Sequence, residues 1–105
     1  MKKKVIPISI VIPTLGELKI EKCIESILSS TRWPREIIVV VPKENYYKLK
    51  IFLLNYSHLK IKVLLSTQKN QVYQRVLGFN NTRNKYVMQL DDDVCLQKKM
   101  FRNYV

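Results

Sequence analysis

Glycine is nearly absent: the 105-residue chain has only Gly16 and Gly78. That rules out the glycine-rich phosphate loops, since neither Gly-x-Gly-x-x-Gly nor the Walker spacing occurs. It also leaves no Gly/Ser linker between domains. Cysteine is as sparse, with Cys23 and Cys95 far apart and no Cys-x-x-Cys spacing. A disulfide framework and a cysteine zinc site are thereby excluded, and reduced thiols suit a cytoplasmic setting. No apolar run reaches the length of a membrane span. The opening MKKKVIPISIVIPTLGE has the basic start and apolar run of a signal peptide. Pro7 and Pro13 break that run, no small-residue cleavage site follows, and charge returns at Glu17 and Lys19, so it is read as part of the domain. Acids are the last scarcity: 8 Asp and Glu face 19 Lys and Arg, a formal charge of +11. Such a surplus attracts polyanions, whether nucleic acid, a membrane surface or a phosphorylated small molecule, without choosing among them.

What is present is a core-forming pattern. Hydrophobic residues make up 47% of the chain, enough for one compact domain. Val5 to Ile12 is rich in Val and Ile and reads as a buried strand. Ile20, Cys23, Ile24, Ile27 and Leu28 fall at helical spacing on one stripe. Pro34 is expected to separate that helix from a strand over Glu36 to Val41, whose continuous β-branched run suits cover on both faces. Lys43 to Asn55 reads as a second helix and Ile61 to Leu65 as a third strand. Gln71 to about Arg83 reads as a third helix with Val72, Val76 and Phe79 on one side. Tyr86 to Leu90 reads as a fourth strand, and Lys98 to Val105 as the start of a further helix. Alternation of this kind predicts an α/β fold: an open, mainly parallel sheet of β-α units joined by right-handed crossovers.

In open α/β sheets, ligands bind beyond the carboxyl ends of the strands. Two segments fall there: the Pro13-Thr14-Leu15-Gly16-Glu17 turn and the acids Asp91, Asp92 and Asp93. These three hold over a third of the chain's acidic charge in one tripeptide. One Asp would suffice to cap a following helix; three adjacent ones repel unless a cation offsets them. Mg²⁺ is held by one or two carboxylates plus substrate phosphates, so a divalent ion bridging the rim and a diphosphate accounts for both the cluster and its place. Arg75, Lys69, Arg83 and Lys85 are the cations nearest the third helix, and Arg75 is the first choice to attract the diphosphate. The single histidine, His58, falls in the loop before the third strand, at the opposite, amino-end rim.

These pieces resemble the nucleotide-sugar-binding half of a GT-A fold glycosyltransferase, family 2 in particular. SIVIPTLGE, Ser9 to Glu17, is similar to the family's first strand and its Val-Ile-Pro-Thr turn. PREIIVVV, Pro34 to Val41, is similar to its second strand. QRVLGFNNTRNKYVMQLDDDV, Gln74 to Val94, resembles the Ala-Arg-Asn-x-Gly helix leading into the Tyr-hydrophobic-Asp-x-Asp strand end. The resemblance implies that Pro13, Thr14 and Glu17 line the base and ribose pocket and that Arg75 approaches the nucleotide. It further implies that Asp91 and Asp92 contact ribose or the metal shell. Asp93, with Asp91, would hold Mn²⁺ or Mg²⁺ on the diphosphate of a sugar donor. The implied partners are a nucleotide-diphosphate sugar and an acceptor (glycan, lipid or protein), with peripheral association at the inner face of a membrane through the basic surface. The chain departs from the family at Val41-Pro42-Lys43-Glu44, where one or two Asp normally recognise the base, and at Val76, which stands in place of Asn. The acceptor-binding half and the catalytic base of inverting members lie further on. Residues 1–105 are therefore expected to be a single donor-binding domain cut before that half. A second reading remains: a basic α/β module that binds nucleic acid or another polyanion, with the aspartates as caps.

Overall fold

β1 (Lys4–Pro13) runs through the centre of a four-stranded parallel sheet of order β3-β2-β1-β4. β2 is Arg32–Pro42, β3 Ile61–Ser66 and β4 Tyr86–Gln89. A computed structural model describes residues 4–15, 20–84 and 86–90. The alternation predicted from sequence is thus realised as an open sheet.

Strand periodicity sorts the core into two layers. Ile6, Ile8, Ile10 and Ile12 of β1 face one side with Ile37, Val39 and Val41 of β2. Helix α1 (Ile20–Leu28) lays its stripe of Ile20, Cys23, Ile24 and Ile27 on that side, joined by Leu49 and Leu53 of α2 (Tyr46–Leu53). On the other side Val11, Ile38 and Val40 meet Leu64 and Leu77, the latter from α3 (Gln71–Phe79). This is what right-handed crossovers require: β1 to β2 to β3 step one way and put α1 and α2 on one face, while the return to β4 puts α3 on the other. Ile10, Ile12, Ile24 and Ile38 are fully buried. Each such side chain contributes about 1.5–3 kcal/mol over its exposed state.

Three details differ from the sequence expectation. Pro34 does not divide α1 from β2; it lies buried inside β2, opposite Ile6. The ladder register shifts between Ile6 and Ser9, so the two prolines, Pro7 and Pro34, occupy a bulged stretch where a missing N–H costs least. The face of α3 is also reversed. Val72, Val76 and Phe79 are 65%, 52% and 41% exposed, and the buried residues are Gln74 and Gly78. The helix ends at Phe79 rather than near Arg83, turning through Asn81, whose side-chain amide donates to Leu77 O at 2.8 Å. The further helix expected over Lys98 to Val105 lies outside the described residues.

At the amino-terminal end, a polar cluster replaces apolar packing. Glu36 accepts from Ser9 Oγ at 2.6 Å and from the Arg83 N–H at 2.9 Å, and Asn84 Nδ2 donates to Ser9 Oγ at 2.8 Å. Burial pushes the Glu36 carboxyl up, but the Ser9 and Arg83 hydrogen bonds and the Arg83 charge outweigh it and hold it below its ordinary value. A carboxylate with a lowered folded pKa stabilises above its unfolded pKa, and that contribution is lost as pH falls through the folded value. Relative to Glu36→Gln, the wild-type urea midpoint is therefore expected to drop between pH 5 and pH 3 and to hold constant between pH 6 and pH 8. A difference that does not change with pH would exclude this role.

Candidate functional site

The carboxyl ends of the strands converge because their last backbone groups are cross-linked. The Thr14 N–H donates to Val40 O at 2.9 Å, and the Leu90 N–H donates to Val11 O at 3.0 Å. Leu90 is buried at that rim, and Asp91 follows it in sequence. Beyond β2, Asn45 Nδ2 donates to Leu15 O at 2.7 Å, tying the second rim loop to the first. Beyond β3, Ser66 Oγ donates to Gln68 O at 2.7 Å, and Asn70 caps α3 by accepting from the Tyr73 N–H at 3.1 Å. A fixed cap of this kind sets where the first turn of α3 begins.

Gln74, from that first turn, bridges the ends of β1 and β2. Its Nε2 donates to Thr14 O at 2.9 Å and to Val40 O at 2.8 Å, so both amide protons are used, one just past β1 and one on β2. The side chain is wholly buried, and Gln74 Oε1 has no hydrogen-bond partner. Arg75 Nε, on the next residue, is likewise buried and unpartnered. Orphaned buried polar atoms cost on the order of 1–3 kcal/mol each. Two on consecutive residues at one rim mark a place where stability is given up. Sequence reading missed Gln74. Its only signal was a polar residue on a helix expected to pack.

Gln74→Leu keeps the volume and removes both donors. It is expected to lower stability by about 1–3 kcal/mol and to release the Thr14 turn. A thermal melt combined with amide exchange at Thr14 and Val41 would check this: unchanged exchange there would show that the bridge does not hold the rim.

The sequence-predicted residues divide three ways. Pro13 and Thr14 sit at the end of β1, both buried, and Gln74 of α3 is joined to Thr14 there; Arg75 follows Gln74 on α3. Lys69 is there too, but it pairs with Glu44 at 2.6 Å, an exposed ion pair linking the loops after β2 and β3. Arg83 is not at this rim; with α3 ending at Phe79, it lies beside Glu36 at the opposite end, where His58 is also found. Glu17, Lys85, Asp91, Asp92 and Asp93 lie outside the described residues. Among the described residues no group of three or more His, Cys, Asp or Glu could hold a metal ion. Cys23 is a buried free thiol inside the core. Among the described residues no helix is long and apolar enough to cross a membrane.

An open parallel sheet of order β3-β2-β1-β4, with α1 and α2 on one face and α3 on the other, is the architecture of a GT-A nucleotide-binding half. The chain belongs to glycosyl transferase family 2, whose model matches residues 9–105. It is similar in structure to S. aureus TarS 1–349, with a TM-score of 0.80 at 19% identity, covering 94% of this chain and 31% of that one. The same TarS fragment in complex with UDP-GlcNAc matches with a TM-score of 0.75 at 19% identity, covering 94% of this chain and 30% of that one. Its complex with UDP also matches at 0.75 and 19%, covering 94% and 31%. The chain thus spans less than a third of the length of these structures, and at this identity the likeness establishes the fold. Comparison with curated protein sequences gives no match.

Proposed function

We propose that this chain is the donor-binding half of a metal-dependent glycosyltransferase that takes a sugar from a nucleotide diphosphate. The observation that supports the reading is the buried, unpartnered Gln74 Oε1 on the side chain bound to Thr14 O, followed on α3 by Arg75, whose Nε is likewise buried and unpartnered. In this reading Pro13, Thr14 and Glu17 line the base and ribose, Arg75 faces the diphosphate, Asp91 and Asp92 contact the nucleotide, and Asp91 and Asp93 bind Mg²⁺ or Mn²⁺. Carboxylate oxygens are the donors that both ions accept. When bound, the ion supplies charge neutralisation for a departing diphosphate. The chain's own residues bind and orient: the Gln74 bridge keeps the β1 and β2 ends at a fixed separation, and Arg75 adds a cation above them. The TarS complexes contain UDP-GlcNAc and UDP, which makes uridine diphosphates the first ligands to try. An acceptor half and a catalytic base, supplied beyond these residues, complete the enzyme. The widely separated thiols and the basic surface suit work in a reducing compartment at the inner face of a membrane.

The test is thermal stabilisation by UDP, GDP and TDP, each with Mn²⁺ and with EDTA. At a ligand concentration 100-fold above Kd, one nucleotide is expected to add about 2.7 kcal/mol, and the gain should vanish in EDTA. Stabilisation by mixed-sequence DNA or RNA that ignores EDTA and falls steeply with salt would support polyanion binding instead.

A further inference from the structure

The second concentration of chemistry lies at the opposite end of the sheet. The face that carries α3 is covered only toward the carboxyl rim. Below it, the amino-terminal ends of β2 and β3 border an open cavity of about 800 Å³. Arg35, Lys60, Lys62 and Arg83 line it together with Glu36 and Asn84. All four cations are exposed, and Lys60 and Lys62 have no carboxylate partner among the described residues. The one carboxylate is already engaged by Ser9 Oγ and the Arg83 N–H. Asn84 is held as well, donating to Ser9 Oγ while its Oδ1 accepts from Arg35 Nη1 at 3.4 Å. Four cations around a concave surface repel one another, and a bound anion relieves that repulsion. The Glu36–Ser9–Asn84 cluster forms a hydrogen-bonded floor beneath them.

We propose that this cavity is a second anion site, separate from the carboxyl rim, for a ligand bearing a phosphomonoester or diphosphate group. Two guanidinium forks match phosphate oxygens in pairs, and the two ammonium groups add charge without demanding a direction. The volume falls within the range of small-molecule sites, about 300–1,000 Å³, and exceeds a bare phosphate, so the ligand carries a further polar portion. Single-stranded nucleic acid is disfavoured because no aromatic side chain lines the cavity to stack a base. Phosphate chemistry of this kind comes either from a soluble phosphorylated compound or from a phospholipid headgroup.

The experiment titrates the isotopically labelled full chain with inorganic pyrophosphate in EDTA, which silences any metal-dependent site at the other rim. In parallel, vesicles of phosphatidylglycerol and of phosphatidylcholine are tested by co-sedimentation. The expected result is that the amides of Lys60, Lys62, Arg83 and Asn84 shift most. Lys60→Gln/Lys62→Gln should weaken binding about tenfold and flatten its salt dependence, while Lys22→Gln/Lys48→Gln on the helices does neither. Pyrophosphate binding that the cavity variant weakens to this extent supports the site with a soluble ligand. Binding confined to phosphatidylglycerol vesicles and weakened likewise by the same variant supports it with a headgroup. Equal losses in the two double variants, or no binding of either probe, overturn the proposal. Nucleotide stabilisation in Mn²⁺ should survive in the cavity variant, so the two sites can fail independently.

Discussion

Gly78→Val is expected to cost about 4 kcal/mol or more and to leave little folded protein at 37 °C. Gly78 sits where α3 crosses the sheet. A Cβ there would collide with Val11 Cγ1 and reach Val40 Cγ2 at 3.2 Å. Val11 and Val40 are fully buried on the two central strands, so neither side chain has room to retreat. The helix itself would have to lift. That would break the small core of Val11, Ile38, Val40, Leu64 and Leu77, and with it the Gln74 bridge one turn away. Overpacking typically costs 1–3 kcal/mol and more where backbone must move. Even Gly78→Ala should lose about 2 kcal/mol on that basis, although alanine favours helix over glycine by about 1 kcal/mol. For a domain of this size, 1 kcal/mol lowers Tm by about 4–8 °C. Val11→Ala in the Gly78→Ala background should recover part of the loss, giving a clear coupling in a double-mutant cycle. A Gly78→Ala protein as stable as wild type would mean that α3 does not approach the sheet this closely.

The same helix shows where sequence reading reaches its limit. The strands and α1 were legible because their signals are redundant: β-branched runs in Ile8–Ile12 and Ile37–Val41, and an unbroken stripe at Ile20, Cys23, Ile24 and Ile27. A β-branched run of that length, stopped by proline, suits a parallel strand covered on both faces and little else. In α3, hydropathy pointed to the wrong face. Val72, Val76 and Phe79 form a tidy apolar row, yet they look outward. Besides Leu77, the contact with the sheet is made by the smallest residue and by an amide, which no apolar template scores. Gly78 is selected by distance and Gln74 by the carbonyls it meets, and both facts exist only once β1 and β2 are paired. Pro34 misled for a related reason. A proline reads as a strand break until a neighbouring strand supplies a bulge opposite it. As for the site, the placement of Pro13 and Thr14 at the carboxyl rim, with the start of α3 beside them, followed from strand order, because alternation dictates which ends meet. Arg83 was misplaced because it was grouped with α3 as a whole: the helix starts at the carboxyl rim and runs back toward the start of β4, so residues past its C-terminus belong to the opposite end.

Asp93→Ala is expected to leave the free protein as stable as wild type, or slightly more so, while abolishing stabilisation by nucleotide and metal together. Three consecutive aspartates carry mutual repulsion, and removing one relieves it. A purely structural role would therefore show as lost stability in the absence of ligand, and a ligand-holding role would not. With a metal-binding carboxylate gone, a nucleotide diphosphate meets an acidic rim without the ion that reconciles the charges. The expected fall in nucleotide affinity is at least tenfold and about a hundredfold where the metal is essential. At a concentration that stabilises wild type by about 2.7 kcal/mol, the variant should gain a few tenths at most. Asp93→Asn keeps the shape and one oxygen but loses the charge, so it should behave as Asp93→Ala in ligand stabilisation. Calorimetry of Mn²⁺ alone supplies the independent reading, with the titration heat expected to disappear in both variants. Nucleotide stabilisation retained in Asp93→Ala, or indifferent to EDTA in wild type, would remove the metal from the account. The rim would then be a simple basic crevice built around Arg75.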